Sequence, residues 1–332
     1  MRFGPVPPDQ AEGAILAHSQ CVGGRMLKKG LVLGPDEIAA LTAAGIALVT
    51  VARPDPGDVA EDAAAARLAE ALVPDPAAAG LRIGAAARGR VNLHAACAGV
   101  VGLDAAAIHA LNRIDPGVTL ATLAPLTRVT PGLLVGTVKI IPYAVPGAAL
   151  AAACATAPGA IRVHPVMRRT AGLILSNVAG QKPGLTEKGR AAVETRLGAL
   201  GIALAAVATV PHDTAAMAAA LTALPGEIAL ILTGSATSDP EDTGPGAVRA
   251  AGGTVTRFGM PVDPGNLLFL GEQGGRPVIG LPGCARSPAL NGADWVLERI
   301  ACGLAVGPDE IAAMGVGGLL KEIPSRPQPR EG

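Results

Sequence analysis

Aromatic side chains are nearly absent from this chain. Its 332 residues include one Trp, one Tyr and three Phe, 2% in all. A surface that stacks nucleic-acid bases needs several exposed rings, so that function class is excluded. Charge is scarce too. Charged residues are 16% of the total, and 27 Lys+Arg balance 27 Asp+Glu to a formal net charge of zero. That balance supplies no field to steer the chain toward nucleic acid or an anionic membrane. The cysteines are few, odd in number and far apart: Cys21, Cys97, Cys154, Cys284 and Cys302. No C-x-x-C pair occurs, so neither a disulfide framework nor a structural zinc site is expected. Most of the five are expected as small buried hydrophobes in a reducing compartment. The N-terminal MRFGPVPPDQ has three prolines and an acid where a signal peptide needs an apolar run. The apolar stretches near 147–157 and 200–210 are too short to span a bilayer. The expectation is a cytoplasmic protein with no nucleic-acid or membrane partner.

What the chain does have is apolar content, 50%, much of it alanine. Wholesale disorder is therefore excluded, and the length suits two domains. In the first half, GPDEIAAL (34–41) reads as a helix start, with Pro35 at the first helical position and Asp36 and Glu37 at the positive end. Ile46–Val51 reads as a strand, 59–73 as a helix, and 74–90 as loop. Asp104 can cap a helix through Arg113. From 118 to 145 the texture turns β-branched, with turn prolines and glycines. GPDEIAA recurs at 307–313, and its unlike flanks make it one capping solution used twice rather than a duplicated unit.

The second half alternates regularly. Strands are expected at 172–176, 202–210, 227–233, 254–258, 267–270 and 278–281. Helices are expected at about 186–199, 214–224, 246–251 and 288–302. Several strands are unbroken apolar runs, which imply a largely parallel sheet covered on both faces. The boundary falls near 160–170. This gives a mixed α+β domain over 1–165, an α/β domain over 166–305, and a tail over 306–332 that frays toward SRPQPREG.

In an open parallel sheet, ligands bind beyond the carboxyl ends of the strands. The richest segment there is TGSATSDPEDTGPG (233–246). It offers hydroxyls from Thr233, Ser235, Thr237, Ser238 and Thr243, glycines that permit close backbone approach, and carboxylates from Asp239, Glu241 and Asp242. Next come GMPVDPGN (259–266) and LPGCARS (281–287), where Ser287 can cap a helix starting at Pro288 and Arg286 can meet a phosphate or lie idle on the surface. Ser176 and Asn177 end the first strand, with Lys182 close behind. His212 and Asp213 look like an acid/base pair, yet spacing assigns them no partner, and a capping Asp213 beside a surface His212 is the better reading. No P-loop, dinucleotide fingerprint, H-E-x-x-H or G-x-S-x-G occurs.

Three segments together resemble the molybdopterin-binding domain of molybdenum cofactor biosynthesis proteins, the molybdotransferase and gephyrin group. They are ILTGSATSDPED (231–242), MPVDPGNLLFLG (260–271) and VIGLPGCARSP (278–288), in that order along the second half. The first half, from AEGAILAHS (11–19) to TVKIIPYAV (137–145), is similar to a related group in which such a module is often fused to a cytidylyltransferase domain. The resemblance implies a three-layer α/β domain with a mostly parallel sheet. It also implies molybdopterin or its nucleotide form as ligand, and a cytidylyltransferase or a molybdoenzyme as partner. It carries pterin contacts onto Thr233, Gly234, Ser235, Asp239, Asp242, Pro264, Gly265, Pro282, Gly283 and Ser287, with Ser176 and Asn177 beside them. Asp239 and Asp242 become the candidate catalytic and Mg²⁺-binding carboxylates, or else loop caps.

The departures from the family pattern are informative. Gly-Gly becomes Gly234-Ser235, and Asn-Pro becomes Cys284-Ala285. The Gly-Asp-Glu-Leu that ends the first strand in molybdotransferases is Ser176-Asn177-Val178-Ala179. Losing those carboxylates favours a carrier over a transferase. Two other readings stay open: a degenerate scaffold that survives as an oligomerisation protein, and a Mg²⁺-dependent hydrolase of nucleotide phosphoanhydrides. A homo-oligomer is compatible with each.

Overall fold

The computed structural model describes residues 1–320. The chain divides into two compact units, Met1–His164 and Pro165–Gly332. The first is mixed α+β and holds two separate apolar cores. The smaller packs Leu16, Leu27, Leu33, Leu41 and Val49, with a three-stranded antiparallel sheet ordered Arg2–Val6, Val49–Arg53, Ile15–Leu16. The larger packs Leu68, Leu72, Leu93, Leu111 and Leu150, drawn from the helices Glu61–Leu72, Ala105–Leu111 and Gly147–Thr156 and from the strand Arg90–Ala95. Asp104 caps its helix as expected, with Oδ1 accepting from the Ala107 amide at 2.9 Å.

Several expectations shift. The strand placed at Ile46–Val51 runs Val49–Arg53, because Gly45 turns the chain with φ +68° and leaves 46–48 outside the ladder. The 74–90 segment contains a short strand, Leu81–Ile83. The alanine-rich 147–156 is a helix that the sequence reading left without an element. Only one cysteine, Cys302, is buried; Cys21 is exposed and Cys97, Cys154 and Cys284 are half-buried, and none is in a disulfide. Both GPDEIAA copies do begin helices, Pro35–Ala43 and Pro308–Ala313. In each, the glycine amide before the proline donates to the glutamate three residues on: Gly34 to Glu37 at 3.2 Å and Gly307 to Glu310 at 2.8 Å. The expected tail thus begins with an ordered helix, and its SRPQPREG end lies outside the described residues.

The second unit carries one six-stranded sheet. Its strands are β1 (Thr170–Asn177), β2 (Ala203–Pro211), β3 (Ile228–Leu232), β4 (Thr254–Phe258), β5 (Phe269–Gln273) and β6 (Arg276–Leu281). The order is β2-β1-β3-β6-β5-β4. The pairs β1·β2, β1·β3 and β3·β6 are parallel, and β5 runs antiparallel to both β6 and β4. The helices are α1 (Leu185–Gly198), α2 (Thr214–Ala223), α3 (Thr243–Ala250), α4 (Gly292–Ala301) and α5 (Pro308–Ala313).

Alternation explains the layering. Along β1 and β3, Ile174, Ala229 and Ile231 face a core built with Met217 and Leu221 of α2 and Val248 of α3. The opposite-facing Leu232 packs on Gly189 of α1. Arg196 of α1 in turn reaches Asp294 of α4 at 2.6 Å, so α1 and α4 share that second face. Every residue of β3 is buried, as a strand covered on both sides must be. The result is a three-layer α/β unit with a mostly parallel sheet. No helix among the described residues is long and apolar enough to cross a membrane.

One tight contact fixes where β5 and β6 meet. The Phe269 ring lies over Gly280, leaving no room for a Cβ there. Gly280→Ala is expected to cost about 1–3 kcal/mol through overpacking. A urea titration that found an unchanged midpoint would contradict this packing.

Candidate functional site

The parallel ladder sets the ends of its strands level. Leu175 pairs with Thr209 and Leu232, and Leu232 pairs with Leu281. The chain therefore leaves β1, β2, β3 and β6 on the same rim. Phe258 pairs with Phe269, and Phe269 with Gly280, so the turn from β4 to β5 also emerges there. The segments expected at 233–246, 259–266 and 281–287 fall at this carboxyl rim, where the loops between elements run 233–242, 259–268 and 282–291. Gly234, Gly265 and Gly283 all stand on segments at this rim.

Hydrogen bonds tie the loops together. Ser176, 2% exposed at the end of β1, accepts the Gly234 amide at 2.9 Å, and its Oγ lies 2.9 Å from Nδ1 of His212. Ser176 is thus the partner of His212 that spacing could not assign. Asp213 caps α2 through the Ala216 amide at 2.9 Å. Asn177 Oδ1 accepts from Thr186 at 2.8 Å and from Gln181 at 3.3 Å, which ties the β1 loop to the start of α1.

Within 233–242 the side chains divide into braces and exposed groups. Thr233 and Thr237 are buried, and their hydroxyls stand 3.3 Å apart, while Thr233 also donates to the Ser235 carbonyl at 2.6 Å. They hold the loop and do not present hydroxyls to solvent, contrary to expectation. Ser235, Ser238 and Asp239 are exposed. Asp242 caps α3, with one oxygen accepting from Thr243 at 2.7 Å and the other from Ser238 at 3.1 Å. Asp239 accepts from the Glu241 amide at 2.8 Å. Among the described residues, no three His, Cys, Asp or Glu side chains gather to hold a metal ion. Gly234 and Gly244 serve the protein's own packing: a Cβ would fall 2.5 Å from the Ser176 carbonyl in one case and 2.8 Å from the Phe269 ring in the other.

The third loop departs most from expectation. Ser287 does not cap a helix at Pro288; it ends a 3₁₀ turn over Gly283–Arg286, and α4 starts only at Gly292. Asn291 is the cap, its side chain accepting from Ala293 at 3.0 Å and donating to Cys284 Sγ at 3.0 Å. Sequence reasoning preferred Ser287 because a Pro follows it. Arg196 was also missed. Its guanidinium donates to the carbonyls of Ala285, Ser287 and Ala289 at 2.7, 2.8 and 3.1 Å, besides its bond to Asp294. Nothing in its helical spacing marks it. In the second loop, the Gly292 amide donates to Pro264 O at 2.8 Å, and Gly265, at φ +144°, lies where a Cβ would strike Gly292. Pro282 is buried and Gly283 exposed.

Arg286 closes the circuit. It is half-buried, and its Nη2 donates to the Thr233 carbonyl at 2.5 Å, which joins the third loop to the first. Burial lowers the pKa of its guanidinium, partly opposed by the neighbouring Cys284. A cavity of about 360 Å³ lies elsewhere, toward the opposite end of the sheet beside Gly275, Pro277 and Gly303.

The second unit therefore belongs to the class of open α/β folds with loops converging at one carboxyl rim. A family described as a domain of unknown function, DUF8806, matches residues 5–53. No curated protein matches the chain. Among solved structures, it is similar to a molybdopterin biosynthesis MoeA protein from Pyrococcus horikosii at 15% identity, covering 91% of this chain and 76% of that one with a TM-score of 0.32. It is also similar to the molybdopterin biosynthesis enzyme MoaB from Thermus thermophilus, at 18% identity over 41% of this chain and 98% of that one, TM-score 0.27. A molybdenum cofactor biosynthesis protein from Pyrococcus furiosus matches at 11% identity over 94% of this chain and 65% of that one, TM-score 0.24.

If Ser176 Oγ holds the first loop, Ser176→Ala leaves a part-buried amide without its acceptor, at about 1–3 kcal/mol. Hydrogen exchange at Gly234 should then quicken by roughly tenfold or more. An unaltered exchange rate would mean the loop is held by other contacts.

Proposed function

We propose that the carboxyl rim binds a phosphorylated pterin of the molybdopterin class, as the pterin or its nucleotide form. The chain would then act in molybdenum cofactor biosynthesis or handling. The observation that carries this reading is the convergence of 233–242, 259–268 and 282–291 on one hydrogen-bonded rim. The resemblance of these three segments to the pterin-binding family supports it. The donor set also fits an anionic heterocycle. Ser235 and Ser238 expose hydroxyls, and a Cβ built on Gly283 would find only Arg286 Nη1, at 3.3 Å, within van der Waals range. Backbone and hydroxyl donors can hold a phosphate on a protein of zero net charge. Thr233, Gly234, Asp242 and Gly265 shape the rim, while Ser235, Asp239, Gly283 and Ser287 face the ligand, with Pro264 and Pro282 fixing the turns and Asn177 at the border.

A Mg²⁺ ion fits less well. Asp242 spends both oxygens on backbone amides and Asp239 spends one. The carboxylates' structural duty favours a carrier that presents the pterin over a transferase or a phosphoanhydride hydrolase. A cytidylyltransferase or a molybdoenzyme is the partner class that such a carrier would serve.

Anaerobic titration calorimetry with molybdopterin and its nucleotide forms, with and without Mg²⁺, tests the reading. Binding tighter than roughly 100 μM, about −5.5 kcal/mol, is expected for at least one form. No binding at that level overturns the proposal. Ser235→Arg, at an exposed position, should abolish binding and leave the thermal unfolding unchanged; an unaffected affinity would remove the first loop from the site.

A further inference from the structure

We propose that Arg286 is the charge-recognition group of the rim, and that it takes a phosphoryl oxyanion of the ligand. The inference rests on the preceding reading only in placing a phosphorylated ligand at this rim.

Buried arginines are normally neutralised, and two others of this unit, Arg196 and Arg276, show how. Arg196 pairs with Asp294 at 2.6 Å and spends its remaining donors on four carbonyls. Arg276 donates to the Leu221 and Leu224 carbonyls at the end of α2, where the helix dipole supplies negative charge. Arg286 has neither kind of partner. Among the described residues no carboxylate stands within ion-pairing distance, and its acceptors are the Thr233 carbonyl and, at 3.4 Å, the Gly283 carbonyl of its own turn. Thr233 directly follows β3, so the carbonyl it offers is not that of a helix C-terminus. Of five guanidinium N–H donors, two are used. Burial already disfavours the charged form. A half-buried cation without a counter-charge is costly, and an incoming dianion removes that cost while gaining charge-assisted hydrogen bonds.

The position also suits a ligand. The aliphatic stem of Arg286 lies against Gly189 of α1, and its head reaches across from the third loop to the first. Gly283, exposed three residues earlier, leaves the approach open. The planar fork can meet two phosphoryl oxygens at once, which a lysine cannot.

Inorganic pyrophosphate is the probe, titrated into the full chain at low ionic strength. The wild-type protein should bind it saturably. Arg286→Gln should weaken binding by about tenfold or more, Arg286→Lys by less, and Arg190→Gln not at all. Arg190 is a charge-matched control on α1, paired with Glu194 at 2.8 Å. As a check that needs no variant, the Arg286 Nε–H resonance of wild-type protein should shift on titration. No wild-type binding up to about 20 mM pyrophosphate, or equal binding by Arg286→Gln, overturns the inference. Pyrophosphate binding through Arg286 without pterin binding leaves this inference standing and ends the pterin reading. Phosphorylated pterin binding that is indifferent to Arg286→Gln does the reverse.

Discussion

Four strands of the second unit, β2, β1, β3 and β6, run in one direction, and that common direction is the constraint on which the site depends. Once Leu175, Leu232 and Leu281 stand level in register, every segment that leaves them must start on one rim. The β4–β5 turn joins them because β5 alone reverses between two strands of like direction. Convergence of segments far apart in sequence is a consequence of strand pairing, and needs no contact between the loops to begin it. The contacts then fix the loops against one another: Ser176 to Gly234, Arg286 to Thr233, and Gly292 to Pro264.

Most glycines and acids of the rim spend their chemistry on the protein itself. Gly234 and Gly265 allow backbones to touch, and Asp213, Asp239 and Asp242 hold amides. This division makes the loops preorganised, so less ordering entropy is lost when a ligand arrives. It leaves exposed hydroxyls, the Gly283 gap and the Arg286 guanidinium, which lacks a carboxylate partner, to do the recognition.

The sheet was legible because its strands are apolar runs bounded by turn and capping residues. EIALILT declares β3 through its continuous burial, and 254–258 and 278–281 fall where expected. Local capping was legible too, at Asp104, at Asp213 and at both GPDEIAA copies. The helix at 147–156 was not, since a run of alanines has no apolar face to reveal its period. Nor could spacing show that Ser176 meets His212 across 36 residues, or that Arg196 grips a loop some ninety residues on. The third loop misled for a local reason: Ser287-Pro288 carries a strong helix-start signal, and Asn291 wins because its side chain reaches both the helix amide and Cys284.

Amide chemical-shift mapping of the labelled chain during titration with molybdopterin tests the central claim most directly. The account predicts shifts concentrated at 234–239, 264–266 and 283–287. Shifts centred instead on the cavity beside Gly275 and Gly303, or spread without focus over the sheet, would contradict it.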